Sequence, residues 1–291
     1  MIDYPWNDRA GRFNWLRMAA FTLAVAPALW IAVDAATGGL GAKPLTETIH
    51  RTGHWAVRFL LISLAMTPVR RITGWNRVIT VRRMLGLTAF SYAVVHLALF
   101  IPDQGWKLGH VASEIVLRPY LTIGFIALLG LAALAATSTD AMIRRLGRRW
   151  QVLHRIVYGL VALGLLHFFM QSKINATEAA LMTGFWLLLM GWRLAHRMGA
   201  SLKSPSVMAM VAIGAALTAA LTEALWYGAA TGVPWRAVLE ANLMLTPWPR
   251  PAVITLIVGL VTVPLPLVKP VLDRLRRSVK RSSRGSTSIR A

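Results

Sequence analysis

The sequence predicts an all-α membrane protein of about eight transmembrane helices, and three observations carry that prediction. Of its 291 residues 56% are hydrophobic and only 15% charged, too apolar a balance for an ordinary soluble domain. Several apolar runs reach about 17–21 residues, which at ~1.5 Å per residue spans a hydrocarbon core of ~30 Å. The basic residues, which bring the formal net charge to +21, fall between these runs and not on one soluble face. That distribution fits loops anchored at a lipid surface and argues against nucleic acid as a partner.

Taken in order, the spans are expected at 13–33, 50–69, 84–101, 119–136, 150–170, 177–195, 207–227 and 251–268. The first follows Arg9, Arg12 and Arg17 and contains Ala24-Val25-Ala26, a pattern shared with cleaved signal peptides. Pro27 and the continuing apolar run to Val33 instead read as a retained first span. The second carries Arg58 inside its apolar stretch. The fourth opens on Pro119, a favoured first helical residue. The seventh holds Glu223, the one carboxylate deep in an apolar run, and the eighth meets Pro264 and Pro266 near its end.

Between the second and third spans lie Arg70, Arg71, Arg77, Arg82 and Arg83, and between the fourth and fifth lie Arg144, Arg145, Arg148 and Arg149. Arg193, Arg197 and Lys203 follow the sixth, and a basic, serine-rich tail follows the eighth. The alternate loops are poorer in Lys and Arg, so the positive-inside rule puts both termini in the cytoplasm. Gly38-Gly39-Leu40-Gly41 lacks a following Lys-Ser/Thr and reads as a turn, not a phosphate loop. No internal repeat stands out.

The chain has no cysteine, which removes disulfides, thiolate-bound iron–sulfur clusters, covalent haem attachment and a cysteine nucleophile. Electron transfer, if it is the function, is left to histidine-ligated haem, flavin or quinone. Of seven histidines, His96 and His167 lie deep in the third and fifth spans. An imidazole in lipid needs a metal, a polar cavity or a hydrogen-bonding neighbour, so each is either a ligand or a satisfied structural histidine. The two spans run in the same direction. His96 lies 14 residues past Arg82 and His167 lies 13 past His154, which puts both at about the same depth. Two imidazoles at one height suit a hexacoordinate haem iron.

His154 is then a candidate ligand for a second haem nearer the cytoplasm. Fourteen steps of an ideal helix return to within about 40° of one face, but thirteen leave about 140°, unless Gly159 or Gly164 distorts the fifth span. Arg82 occupies the corresponding inner position of the third span, where it serves as a loop anchor, a partner for haem propionates or an unusual axial group. His50 and His54 flank Gly53 at the outer start of the second span and suit a quinone or a haem edge, with His54 read as a solvated loop residue. His110 and His196 read as interface residues, and Glu223 as a protonated structural group or a proton carrier.

Arg82-Arg83-Met84-Leu85-Gly86-Leu87 with His96, Arg118-Pro119-Tyr120-Leu121-Thr122, and Thr137-Ser138-Thr139-Asp140 are a recognisable set. With them go Arg145-Leu146-Gly147, Trp150, Leu153-His154-Arg155 and Tyr158, as well as Gly38-Gly39-Leu40-Gly41 and His50 with Thr52-Gly53. Together, over about residues 12–197, they resemble the haem-binding membrane subunit of the periplasmic methionine sulfoxide reductase system, the MsrQ or YedZ family. The resemblance implies a six-helix ferric-reductase-like bundle over residues 1–200. It also implies b-type haem, one or two per chain, held by His96, His167 and His154, with Arg82 at the family's arginine position. Electrons would come from the quinone pool or a cytosolic flavin reductase, with FMN as a further cofactor type. They would pass to a periplasmic molybdopterin methionine sulfoxide reductase. Residues 201–291 add two further spans and a basic cytoplasmic tail, for which the resemblance gives no account. The rival readings are a self-sufficient ferric reductase or oxidase, and a proton-coupled transporter using histidine and Glu223. Short cytoplasmic loops and the lack of a G-x-G-x-x-G motif after a strand count against the former.

Overall fold

The computed structural model describes residues 4–7, 11–172, 175–244 and 249–266. Each expected span coincides, over at least part of its length, with a described helix. α1 (Trp15–Thr37) starts at Asn14, whose side chain accepts from the backbone N–H of Leu16 at 3.1 Å and Arg17 at 3.2 Å. It ends at Gly38, whose φ of +78° turns the chain out of the helix, so the glycine cluster is a turn as expected. α2 (Pro44–Thr73) leads through a 3-10 segment at Asn76–Val81 into α3 (Arg82–Asp103). α4 (Leu108–Leu117) and α5 (Pro119–Ala136) follow. Two short helices, α6 (Asp140–Leu146) and α7 (Arg148–His154), precede α8 (Val157–Gln171) and α9 (Thr177–Arg197). α10 (Pro205–Thr231), α11 (Trp235–Ala241) and α12 (Pro251–Val261) complete the described helices.

Among the described residues five stretches are long and apolar enough to cross a membrane: α1, Asn76–Asp103, α5, Arg148–Gln171 and α10. Helices α2 and α9 have the length, at 30 and 21 residues, but carry charge, including Arg58 and Glu178. α12 is 11 residues long, and the expected eighth span runs on beyond the described residues. Pattern reading passed over α4, α6 and α11, which are short helices inside what look like loops.

The chain forms two compact units. One comprises Met1–Ala65 and Thr80–Thr183, the other Met66–Ile79 and Gly184–Ala291 as far as it is described. In the first unit α5 lies against α8, close enough that a Cβ at Gly130 would stand 2.4 Å from Leu160 Cδ2. Tyr92 on α3 donates to the carbonyl of Ala24 on α1 at 2.9 Å, and Ser63 on α2 donates to the carbonyl of Arg82 at 3.0 Å.

In the second unit α10 turns its small residues inward. Ala212, Ala216, Ala219 and Ala220 are buried, while Leu217 and Leu225 are 62% and 69% exposed. Large apolar residues outside and alanine inside is the arrangement of a helix solvated by lipid, where close backbone approach replaces the hydrophobic drive. A Cβ at Gly259 of α12 would lie 2.5 Å from that of Ala212, so the two helices meet nearly backbone to backbone. The buried face of α10 also carries Glu223, wholly inaccessible. Asn242 donates to its Oε2 at 2.8 Å, and Arg250 lies 3.6 Å from its Oε1.

Candidate haem site

His96 on α3 and His167 on α8 meet in the first unit, with ring centroids 6.2 Å apart and ring planes at 81°. Each ring is fixed by the helix next to its own. His96 Nδ1 lies 2.8 Å from the carbonyl oxygen of Ile49 on α2, and His167 Nδ1 lies 2.8 Å from that of Tyr120 on α5. A carbonyl only accepts, so in both rings the proton sits on Nδ1 and Nε2 carries the lone pair. That is the tautomer a metal ligand requires.

The centroid separation gives a second test of fit. Two metal–nitrogen bonds of ~2 Å each, plus two nitrogen-to-centroid distances of ~1.1 Å, come to about 6 Å. The separation is compatible with two imidazoles on one shared iron. It also lies within the ~4.5–7 Å of an edge-to-face aromatic pair, so the fit to a haem iron rests on the two imidazole donors and their shared tautomer.

Glycine makes room for each ring. A Cβ on Gly53 would stand 3.0 Å from His96 Nδ1, and one on Gly124 would stand 2.8 Å from His167 Nδ1. Neither glycine, nor the carbonyls of Ile49 and Tyr120, was legible as part of the site, because a backbone acceptor has no side-chain signature.

His154 ends α7, its ring stacked on Trp150 at 3.9 Å between centroids. Its Nε2 lies 3.2 Å from the hydroxyl of Thr137, and Trp150 Nε1 donates to the Thr137 carbonyl at 2.9 Å. The angular misfit between His154 and His167 has a structural answer. Gly159 and Gly164 are within regular helix, and the break falls at Arg155–Ile156 between α7 and α8. There Arg155, Ile156 and Tyr158 donate to carbonyls three residues back, at 3.1, 3.1 and 3.2 Å. A 3-10 turn advances ~120° per residue against ~100°, so this segment removes tens of degrees from the offset. Arg82 is the first residue of α3, and among the described residues no carboxylate pairs with its guanidinium. No cluster of three or more histidine, cysteine, aspartate or glutamate side chains that could hold a metal ion occurs among the described residues.

His54 corrects the expectation of a solvated loop residue. It lies within α2, its Nδ1 3.2 Å from Glu178 Oε2 and its ring 4.6 Å from that of Phe168, the neighbour of ligand candidate His167. Arg58 pairs with the other oxygen of Glu178 and lies 4.8 Å over the Trp55 ring. The charge inside the second span is thus neutralised by the first turn of α9. His50 is on α2, His110 on α4 and His196 in the last turn of α9.

Comparison with known proteins bears on this geometry. The family model described as ferric reductase like transmembrane component matches residues 52–165, which take in His96 and His154. The haem-binding subunit MsrQ of the protein-methionine-sulfoxide reductase of Xanthomonas euvesicatoria pv. vesicatoria is 46% identical over 172 residues. The match covers 59% of this chain and 79% of the relative. The chain belongs to the MsrQ family. Membership extends to Brucella: the MsrQ protein of Brucella anthropi is 41% identical over 182 residues, 62% of this chain and 82% of that one. No solved structure matches. This MsrQ family member is longer than the relatives it resembles, and the matched 172 residues leave the additional length unaccounted for.

Proposed function

We propose that this protein is a b-type haem electron carrier in which His96 and His167 would hold one haem iron. It relays electrons across the bacterial inner membrane to a periplasmic molybdopterin-dependent methionine sulfoxide reductase. The observation that carries the reading is the pair of imidazoles 6.2 Å apart, each with its Nδ1 proton held by a backbone carbonyl. When bound, haem would supply a one-electron couple. The chain's own residues orient the rings, exclude water with the apolar helix faces around them and fix the tautomer.

His154 is a ligand toward the cytoplasmic side for a second haem, and Arg82 is its cationic neighbour at the head of α3. Electrons enter from the quinone pool or a cytosolic flavin reductase, with FMN as a further cofactor. Both termini are cytoplasmic, a placement supported by arginines in the 70–83 and 144–149 segments. Residues 1–200 form the haem-binding domain. Residues 201–291 form an extension whose role is to stabilise that domain.

The test is an oxidised and dithionite-reduced visible spectrum of the detergent-purified protein, with pyridine haemochrome quantification. The expected result is a sharp reduced α-band and one or two haems per chain. A protein that stays colourless after haem-replete expression refutes the reading.

A further inference from the structure

The two ligand candidates are held in the same way, at the same spacing. Ile49 offers a carbonyl, Gly53 lies one helical turn later, and His96 follows on the next long helix. Tyr120, Gly124 and His167 repeat the arrangement 71 residues further on, and both carbonyl–imidazole bonds join residues 47 apart at 2.8 Å. Further along, the same interval relates Phe59 and Ala89, which have no accessible surface, to Gly130 and Leu160, where the leucine lies against the glycine.

The glycine has a specific reason to stand four residues after the carbonyl. In a helix the carbonyl of residue i already accepts from the N–H of i+4, and its second lone pair is open to another donor. The side chain at i+4 lies beside that oxygen: Thr52 uses the position to donate to the carbonyl of Thr48 at 2.8 Å. An imidazole arriving from a neighbouring helix needs the same space. Glycine at i+4 leaves it free.

We propose that the haem ligands are built from one half-site used twice, carbonyl, glycine and histidine, and that Gly53 and Gly124 are its positioning residues. The inference rests on the haem reading above and goes beyond it to what sets the imidazoles. A methyl group at either glycine pushes the ring away and breaks the Nδ1–H bond to the carbonyl. The ring then loses its fixed tautomer and part of its basicity, so it holds ferric iron less well.

The experiment compares the full-length wild type with Gly53→Ala, Gly124→Ala and Gly214→Ala. The last is a control whose added methyl meets nothing. Haem retention and the midpoint potential of the bound haem are the readouts. Each of the first two variants loses on the order of tenfold in haem affinity, as outer-shell changes do. The potential of the remaining haem moves upward in both. Gly124→Ala is the more severe, because its methyl meets the ring at 2.8 Å against 3.0 Å. The control matches wild type.

Wild-type retention and potential in both variants overturn the proposal, and an effect at only one glycine overturns the repeated half-site. If the variants are not recovered folded, electron paramagnetic resonance of the wild type decides. Ring planes at 81° give a highly anisotropic low-spin ferric signal, and an ordinary rhombic signal refutes this ligand geometry. A wild type without haem refutes the electron-carrier reading itself, whereas haem-replete variants with unchanged spectra refute only the role of the glycines.

Discussion

Replacing Glu223 separates the work done by its shape and hydrogen bond from the work done by its charge. The carboxyl is wholly buried, accepts from Asn242 Nδ2 at 2.8 Å and has Arg250 Nη1 at 3.6 Å. Glu223→Ala removes the hydrogen bond with Asn242 and leaves a small cavity, together about 2–3 kcal/mol. Asn242 Nδ2 keeps a second acceptor in the Val238 carbonyl at 3.0 Å, so that donor is not stranded. Arg250 is a third exposed and its lost attraction is screened, adding well under ~1 kcal/mol. The sum is about 2–4 kcal/mol, or roughly 4–16 °C in unfolding temperature at ~2–4 °C per kcal/mol. Glu223→Gln keeps the acceptor for Asn242 and puts an amide NH2 in place of Oε1, which faces Arg250 at 3.6 Å, so it loses mainly the screened attraction and costs about 1 kcal/mol. Thermal unfolding of the detergent-solubilised variants, followed by tryptophan fluorescence, measures both. If Gln costs as much as Ala, the negative charge is what holds the site, and the hydrogen-bond argument is wrong.

His96→Ala and His167→Ala are each expected to abolish the same reduced α-band, and variants that keep full haem and unchanged spectra refute the pairing. His154→Ala is expected to lower pyridine haemochrome by one equivalent while leaving that band in place. An unchanged haem count removes His154 from the ligand set. Arg58→Ala and Glu178→Gln, taken through a double-mutant cycle of unfolding free energies, should couple by about 1 kcal/mol, since both side chains are about a third exposed. A coupling near zero would show that the span carries Arg58 without help from α9.

The fold was legible because lipid simplifies the code. Every span needs an apolar run of fixed length, and each of the eight runs marks a described helix, from Trp15–Thr37 to Pro251–Val261. What escaped was short and local. α4 reads as loop because Gly105 and Trp106 turn the chain immediately before it, with φ of 65° and 62°. The break after His154 leaves no proline or glycine to announce it.

At the site, depth in the membrane picked out His96 and His167, since two imidazoles at one height in apolar helices form a pattern that sequence can carry. Their supports could not be read the same way. Ile49 and Tyr120 act through the main chain, and Gly53 and Gly124 act by lacking a side chain. The 71-residue correspondence likewise rests on too few shared residues to appear as a repeat. His54 was misjudged because Glu178, its partner, lies more than a hundred residues away in sequence.

The tethering of both rings has a consequence for speed. Each imidazole is hydrogen-bonded at Nδ1 to a carbonyl that is itself part of a helix and is flanked by a close backbone, so neither has slack to swing. An iron between them would gain or lose its charge with almost no movement of its nearest atoms. With iron held there as proposed, much of the reorganisation energy that slows electron hopping in water would have been met during folding.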